Sequence, residues 1–152
     1  MNEFDVSEKY LKYRKNILEY TNRDMNLKLQ NDKQVYIALV DIPAESIIKG
    51  NNSKTLAMIF GLNTHIYFGN GEVLVDLEKQ IEVKKAMQSF FISSSQLLPY
   101  MKLCDDIEFY NSEFTRVYLK TEKGIYIKEL EGDNKQNMFF KMLINNVLYN
   151  IK

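Results

Sequence analysis

The chain has 152 residues and equal numbers of basic and acidic residues, 20 of each, so its formal net charge is zero. A neutral chain has no global field that draws it to nucleic acid or to an anionic membrane, so any charged partner must be met by a local patch. Its single cysteine excludes an intramolecular disulfide and a zinc site built from several cysteines. We expect one globular domain, residues 1–152, with a conventional hydrophobic core.

The beginning of the chain predicts a cytoplasmic protein. Residues 1 to 5 are acidic and lack the basic and then apolar pattern of a signal peptide. No apolar run approaches the ~20 residues that a membrane-crossing helix needs. A reducing compartment also fits the single cysteine.

The first predicted element is an amphipathic helix over residues 5 to 20. Apolar residues recur there at three- and four-residue steps, and Arg14 and three lysines are interleaved on the other faces. Asp5 or Ser7 can cap the helix, because a short side-chain oxygen accepts an unpaired N–H of the first turn. Residues 21 to 33 have no clear period and are predicted to form a loop or a short strand.

Strands are predicted in quick succession after this loop. Residues 35 to 40 are apolar and rich in β-branched side chains, the pattern of a strand buried on both faces. Residues 55 to 60, 64 to 68 and 72 to 76 are joined by short turns that contain glycine, which predicts an antiparallel meander. Residues 77 to 87 are ambiguous between strand and helix.

A strand followed by a helix is the prediction for the next segment. Residues 88 to 92 favour a strand, and Ser94 or Ser95 is predicted to cap a helix that runs to Ile107. No glycines flank these serines as in a nucleophile elbow. Capping therefore explains them better than a catalytic pair with His65, the only histidine.

The last third of the chain predicts a hairpin and a helix. Residues 116 to 120 and 125 to 130 alternate in polarity around a turn that contains glycine. The apolar residues between 138 and 151 recur at helical spacing. The predicted fold class is α+β, an antiparallel meander sheet flanked by N-terminal, central and C-terminal helices.

Several chemical features have simple structural explanations. Gly69-Asn70-Gly71 lies between two strands and lacks the helix N-terminus that would hold a phosphate, so it is predicted to be a turn. Cys104 lies at an apolar step of the predicted helix and is expected to be a buried small hydrophobe. The cations of the first helix, with Tyr10 and Tyr13, resemble a weak RNA-binding face, but ordinary helix solvation explains them better.

The candidate partner-binding residues are Asp105, Asp106 and Glu108. A metal site needs carboxylates that converge from separate elements, which this spacing does not provide, so no metal and no cofactor is expected. A solvated helix end explains the three acids, and an acidic patch also suits a basic partner protein. We assign no catalytic residues, because no set of nucleophile, base and oxyanion donors can be assembled from the sequence.

Three consecutive patterns between Leu56 and Glu108 carry a family resemblance. They are Met58-Ile59-Phe60-Gly61, the glycine hairpin over residues 66 to 73, and the run from Phe90 to Tyr100 that passes through three serines. Together they resemble the central part of the SUKH superfamily, immunity proteins that neutralise polymorphic bacterial toxins. Residues 137 to 143 are similar to the closing helix of some members. The resemblance implies a non-enzymatic α+β protein whose partner is a toxin domain, often a nuclease or a deaminase.

The sequence thus leads to two hypotheses of different classes. The first is a cytoplasmic immunity protein that neutralises a cognate toxin by stoichiometric binding, without direct contact with nucleic acid or membrane; another immunity family with a similar layout fits the same features. The second is a small-ligand-binding or regulatory domain with a pocket between sheet and helices, lined by tyrosine and methionine. A toxin gene immediately upstream would favour the first, and a deep pocket with convergent polar groups would favour the second.

Overall fold

An antiparallel sheet forms the middle layer of the protein. The structure, a computed structural model, describes residues 6–43, 53–61, 63–110 and 112–152. The described strands are β1 (Ile37–Ile42), β2 (Lys54–Ile59), β3 (Asn63–Phe68), β4 (Val73–Leu74), β5 (Lys102–Leu103), β6 (Arg116–Thr121) and β7 (Gly124–Glu129). They lie in the order β4-β3-β2-β1-β6-β7-β5, and all neighbours are antiparallel.

Helices cover both faces of this sheet. The described α-helices are α1 (Glu8–Glu19), α2 (Ile81–Ser94) and α3 (Lys135–Tyr149), with short 3-10 helices at Leu77–Lys79 and Ser95–Tyr100. α1 packs on one face, and α2 and α3 pack on the other. The predicted α+β class, with helices from the beginning, middle and end of the chain around a meander sheet, is confirmed.

Each face of the sheet has its own core, because successive strand residues point to opposite sides. Ala38 and Val40 of β1 belong to the core shared with α2 and α3, whereas Ile37 and Leu39 belong to the core shared with α1. All four side chains are 0% exposed. The prediction of a strand buried on both faces is confirmed, and β1 is the centre of the sheet.

The predicted antiparallel meander over residues 55 to 76 is also confirmed. β2 pairs with β3, and β3 with β4, through the two turns that contain glycine. In the second turn Gly71 donates its N–H to the Phe68 oxygen at 2.8 Å with a φ of +95°, a conformation that side chains other than glycine rarely adopt. Only residues 73 and 74 of the predicted fourth strand pair with β3.

The N-terminus of α1 is fixed against this turn. The Ser7 Oγ accepts the Lys9 N–H at 3.1 Å, and the Ser7 N–H donates to the Gly69 oxygen at 2.7 Å. Ser7 is therefore the capping residue, as the sequence predicts. The other capping candidate, Asp5, lies outside the described residues.

The segment from residue 77 to residue 94 is helical. The prediction of a strand over residues 88 to 92 is wrong, since this stretch belongs to α2. Phe90, Phe91 and Ile92 favour a strand locally. The buried side chains of α2 nevertheless recur at helical spacing, and they are Val83, Ala86, Met87, Phe90, Phe91 and Ser94. Packing of this stripe on α3 and the sheet decides the conformation.

The predicted helix to Ile107 is wrong beyond Tyr100. A 3-10 helix that contains Pro99 occupies Ser95–Tyr100, and the chain then becomes extended and pairs as β5 with β7. Proline has no N–H for a helical hydrogen bond, which disfavours an α-helix through this point. Cys104 is half-buried after β5, and not on a helix.

The serine cluster does not cap a helix. The Ser94 hydroxyl donates to the Phe91 oxygen at 3.4 Å, and the Ser95 hydroxyl donates to the Ile92 oxygen at 2.9 Å. Both bonds return to carbonyls at the end of α2. The prediction of an N-cap at Ser94 or Ser95 is therefore wrong.

The last two predicted elements are confirmed. β6 and β7 form a hairpin in which Thr121 pairs with Gly124. α3 begins after Asn134, whose side chain accepts the Asn137 N–H at 2.8 Å. None of the described helices is both long and apolar enough to cross a membrane.

Candidate binding surface

The acidic residues predicted to bind a partner lie on an exposed loop beside α1. We call residues 104–110, which follow β5, the acidic loop. Asp105, Asp106 and Glu108 are all exposed there, and they are not on a helix. The interpretation of these residues as a solvated helix end is therefore wrong.

Alternation of side chains orients the loop. Ile107 is half-buried and Phe109 is buried, whereas Asp106, Glu108 and Tyr110 are exposed. An extended segment that alternates in this way presents one row of side chains to solvent and another to the core. The Asp-Ile-Glu-Phe-Tyr order in the sequence carries this signal, which the helical interpretation missed.

Main-chain and aromatic contacts anchor the loop at both ends. The Cys104 N–H donates to the Ile125 oxygen of β7 at 2.8 Å. The Phe109 ring meets the Tyr10 ring of α1 edge-on, with 5.5 Å between ring centroids. Because the loop is already held in place, fixing its acidic side chains upon binding costs less conformational entropy than it would in a free loop.

A buried ion pair lies beneath the loop. Arg14 of α1 donates to both carboxylate oxygens of Asp41, at 3.0 and 2.7 Å, and to the Ile107 oxygen at 3.2 Å. The Arg14 side chain is fully buried, which corrects the prediction that it lies on a solvated face. Burial tends to lower the pKa of Arg14, but the Asp41 carboxylate outweighs it and raises that pKa.

The Asp41 carboxylate is part of a longer chain of hydrogen bonds. Its Oδ1 accepts the Thr55 hydroxyl at 2.7 Å, and the Tyr10 hydroxyl lies 2.6 Å from the same Thr55 oxygen. Burial and the Asp41 charge raise the pKa of Tyr10 above its ordinary value, so this phenol stays protonated. The network joins α1, β1 and β2 and fixes the helix against which the loop rests.

Large exposed apolar side chains occur in the acidic loop and in the segment just before it. Tyr100, Leu103 and Tyr110 are each more than half exposed, at 56%, 51% and 55%. The Arg116 guanidinium covers one face of the Tyr110 ring, 4.5 Å from the ring centroid. Aromatic anchors beside charged residues are typical of protein interfaces. The sequence pattern does not predict that these three residues contact a partner.

The loop's carboxylates remain available for a partner. Among the described residues, none of the ion pairs involves Asp105, Asp106 or Glu108. Within the described ranges, Asp106 accepts one hydrogen bond, from the nearby Glu108 N–H at 3.1 Å. Lys102 is the one lysine between residues 102 and 110. Lys12 and Lys15 of α1 line a shallow cleft together with Glu108, but neither is within ion-pair distance of it in the described structure.

His65 and the serine cluster lie on opposite faces of the sheet. His65 shares a cleft with Tyr13 of α1, whereas Ser94 is buried in α2 on the other side. The strand neighbour of His65, Thr64, contacts Met87 of α2. The sheet therefore separates the imidazole from the hydroxyls, and they form no Ser-His pair.

No metal cluster is found in the part of the chain that the structure describes: no group of three or more His, Cys, Asp or Glu side chains converges there. The Gly69-Asn70-Gly71 turn connects β3 and β4, as predicted, and Asn70 accepts the Glu72 N–H at 2.9 Å.

Two of the three patterns that carry the family resemblance have the implied secondary structure, and the third does not. The strand that ends near Gly61 and the glycine hairpin are present as β2, β3 and β4. The third pattern implies a strand before the serines, but the structure has α2 there. Comparisons with family models, with curated proteins and with solved structures found no match to this chain.

Proposed function

We propose that this protein is a non-enzymatic binding protein, an immunity protein that neutralises a cognate toxin by stoichiometric binding through the acidic loop. The observation that carries the proposal is the anchored loop itself, which exposes carboxylates without ion pairs and Tyr110, and which follows the exposed Tyr100 and Leu103 directly in the chain. The resemblance of the strand and glycine-hairpin patterns to those of SUKH proteins supports the class of partner. A toxin that acts on nucleic acid, a nuclease or a deaminase, offers the basic surface that such a loop complements.

The two kinds of exposed side chain have different roles in this proposal. The carboxylates attract the basic partner during encounter, so they act mainly on the association rate and its dependence on salt. Tyr100 and Leu103 lose water upon docking and hold the complex together, so they act mainly on dissociation.

Co-expression tests the class of partner directly. The chain is produced together with each toxin candidate encoded by a neighbouring gene, and growth and co-purification are measured. Rescue of growth with a one-to-one complex is expected. If no neighbouring candidate gives either rescue or a complex, immunity function is refuted.

A charge-reversal variant tests the binding surface once a complex is obtained. Replacing Asp105, Asp106 and Glu108 with lysine should slow association by about tenfold or more at low salt and weaken its salt dependence. The matched control reverses three exposed acids elsewhere, Glu82→Lys, Glu122→Lys and Glu131→Lys, which changes the net charge equally. Equal slowing by both triple variants would place the interface away from the acidic loop.

An anchor variant separates the second role from the first. Tyr100→Ala with Leu103→Ala should speed dissociation and leave the association rate nearly unchanged. Tyr149→Ala is the control, because Tyr149 is 87% exposed on α3 and far along the chain from the loop. If Tyr100→Ala with Leu103→Ala dissociates as slowly as the parent, the apolar residues are not anchors.

A further inference from the structure

A tyrosine-lined cleft opens between α1, the loop that follows it and the sheet. Its volume is about 380 Å³, within the roughly 300 to 1,000 Å³ typical of small-molecule pockets. Tyr13 of α1 and Tyr67 of β3 are stacked in its wall, with ring centroids 5.0 Å apart and planes inclined by 27°. Met25 and Ile59 add apolar surface. The cleft therefore offers a flat ring an aromatic and apolar environment.

His65 supplies a hydrogen-bond donor to this cleft. Its Nδ1 accepts the Asp76 N–H at 3.1 Å, so the proton of the neutral imidazole is on Nε2. No hydrogen bond to Nε2 is present within the described ranges. Burial lowers the pKa of His65, although Glu78 and Asp76 oppose the shift, so the ring is neutral near pH 7. A ligand thus meets one fixed N–H and no positive charge.

Tyr67, beside His65, is neutral as well. Burial raises the pKa of Tyr67 to about 12, and the neighbouring Tyr13 and Tyr20 contribute to the rise. The Tyr67 hydroxyl has no hydrogen-bond partner among the described residues. It remains able to donate to a ligand or to accept from one.

The charge of the cleft selects against anions. Asp24 is the one charged residue among those that line it, and no lysine or arginine lines it in the described part of the chain. The nearby Lys120 ammonium donates to the oxygens of Leu18 and Tyr20, at 2.8 and 2.5 Å. Burial lowers the pKa of Lys120, and the Asp24 charge opposes this shift, but Lys120 does not line the cleft. A phosphate or carboxylate ligand would meet repulsion from Asp24 and, in the described part of the chain, no lysine or arginine in the cleft wall.

We propose that this cleft binds an amino-substituted heteroaromatic ring without an anionic group, of the size of a nucleobase or nucleoside. The ring packs against the tyrosine wall, a ring nitrogen or carbonyl accepts the His65 Nε2–H, and the amino group donates to the Asp24 carboxylate. The site is independent of the proposed toxin binding, since it uses the side of α1 with Tyr13, whereas the acidic loop lies against the side with Lys12 and Lys15.

Titration followed by NMR of the full-length, isotope-labelled chain tests the proposal. Adenosine and cytidine are the probes, and AMP and CMP are the anionic comparisons. The two nucleosides are expected to shift the single histidine resonance and the Tyr67 ring resonances with saturation, and the nucleotides to bind more weakly. If neither nucleoside shifts these resonances, or if a nucleotide binds as tightly as its nucleoside, the proposal is overturned.

Two variants identify the contacts. His65→Phe keeps an aromatic ring but removes the N–H, and Asp24→Asn removes the charge; each should weaken nucleoside binding by about five- to tenfold. The control is Asp32→Asn, an exposed acid of the same connection that pairs with Lys123 at 3.4 Å. Urea unfolding verifies that each variant is folded, and unchanged affinity in both cleft variants would refute the assigned contacts.

Discussion

At the scale of single residues, the buried pair of Arg14 and Asp41 ties α1 to β1. Both charged groups are buried and have lost their hydrogen bonds to water. Hydrogen bonds to each other, to Thr55 and to the Ile107 oxygen take the place of those to water. Such a pair adds little stability relative to well-packed apolar residues, but loss of one partner leaves an uncompensated buried charge. The pair therefore specifies how α1 sits on the sheet.

Replacing Arg14 with methionine should reduce the free energy of unfolding by about 3 to 5 kcal/mol, because Asp41 is left buried without its counter-charge. Urea denaturation measures the change. Lys15→Met, one position further along the same helix, is the control, since the exposed Lys15–Glu19 pair should contribute less than about 1 kcal/mol. Adding Asp41→Leu to Arg14→Met should restore part of the loss; a double variant less stable than the single would contradict this explanation.

His65 gives the protein a predictable response to pH. Its pKa is lowered in the folded state, whereas in the unfolded chain it is about 6.5. As the pH falls below about 6.5, the unfolded state takes up the proton first, so this residue's contribution to stability is present above that pH and is lost below it. Urea denaturation between about pH 5 and pH 7.5 should show a steeper loss of stability in the parent than in His65→Gln. Equal pH slopes, or a histidine NMR titration at or above the unfolded value, would refute the lowered pKa.

At the scale of elements, the strands that are joined by short turns with glycine are the part of the fold that the sequence predicts best. The β2–β3–β4 meander and the β6–β7 hairpin follow from alternation and from glycines with positive φ, and both were predicted. For α2 the sequence leaves residues 77 to 87 open between strand and helix and wrongly favours a strand over residues 88 to 92, because Phe90, Phe91 and Ile92 have strand propensity. The helical spacing of the buried residues becomes visible only when the pattern is extended back to Val83. The burial of Arg14 and the cleft at His65 depend on contacts between residues distant in the chain, which the local sequence pattern does not contain.

Gly71 shows how a turn holds a helix. With a φ of +95°, it would place an added Cβ 2.9 Å from the Ser7 Oγ, the oxygen that caps α1. Gly71→Ala should therefore destabilise the protein by more than about 1 kcal/mol, through backbone strain and displacement of the cap. Gly132→Ala is the control, because its φ is +86° but, apart from its chain neighbours, no atom of the described residues lies within 4 Å of the added Cβ. Thermal or urea unfolding that gives equal losses for the two variants would rule out the steric part of this explanation.

At the scale of the whole molecule, one sheet lies between two hydrophobic cores and contributes side chains to each of them. β1 forms hydrogen bonds with β2 on one side and β6 on the other, and helices cover its two faces. β4 and β5 are two-residue strands at the ends of the sheet, each paired with a single neighbour. Stability should therefore decrease from the centre of the sheet to its edges.

Hydrogen exchange should resolve this gradient. The amides of β1 are expected to exchange only upon global unfolding, because opening them exposes both cores, whereas β4 and β5 can open by breaking a few bonds at the surface. Leu39 lies in the core under α1, whereas Phe140 of α3 belongs to the other core. Leu39→Ala should nevertheless accelerate the exchange of the β1 amides and of the α3 amides around Phe140 by the same factor. Acceleration confined to α1 and the adjacent loops would mean that the two cores unfold separately. The factor provides an internal check, since RT times its natural logarithm must equal the loss of unfolding free energy that urea denaturation gives for the same variant.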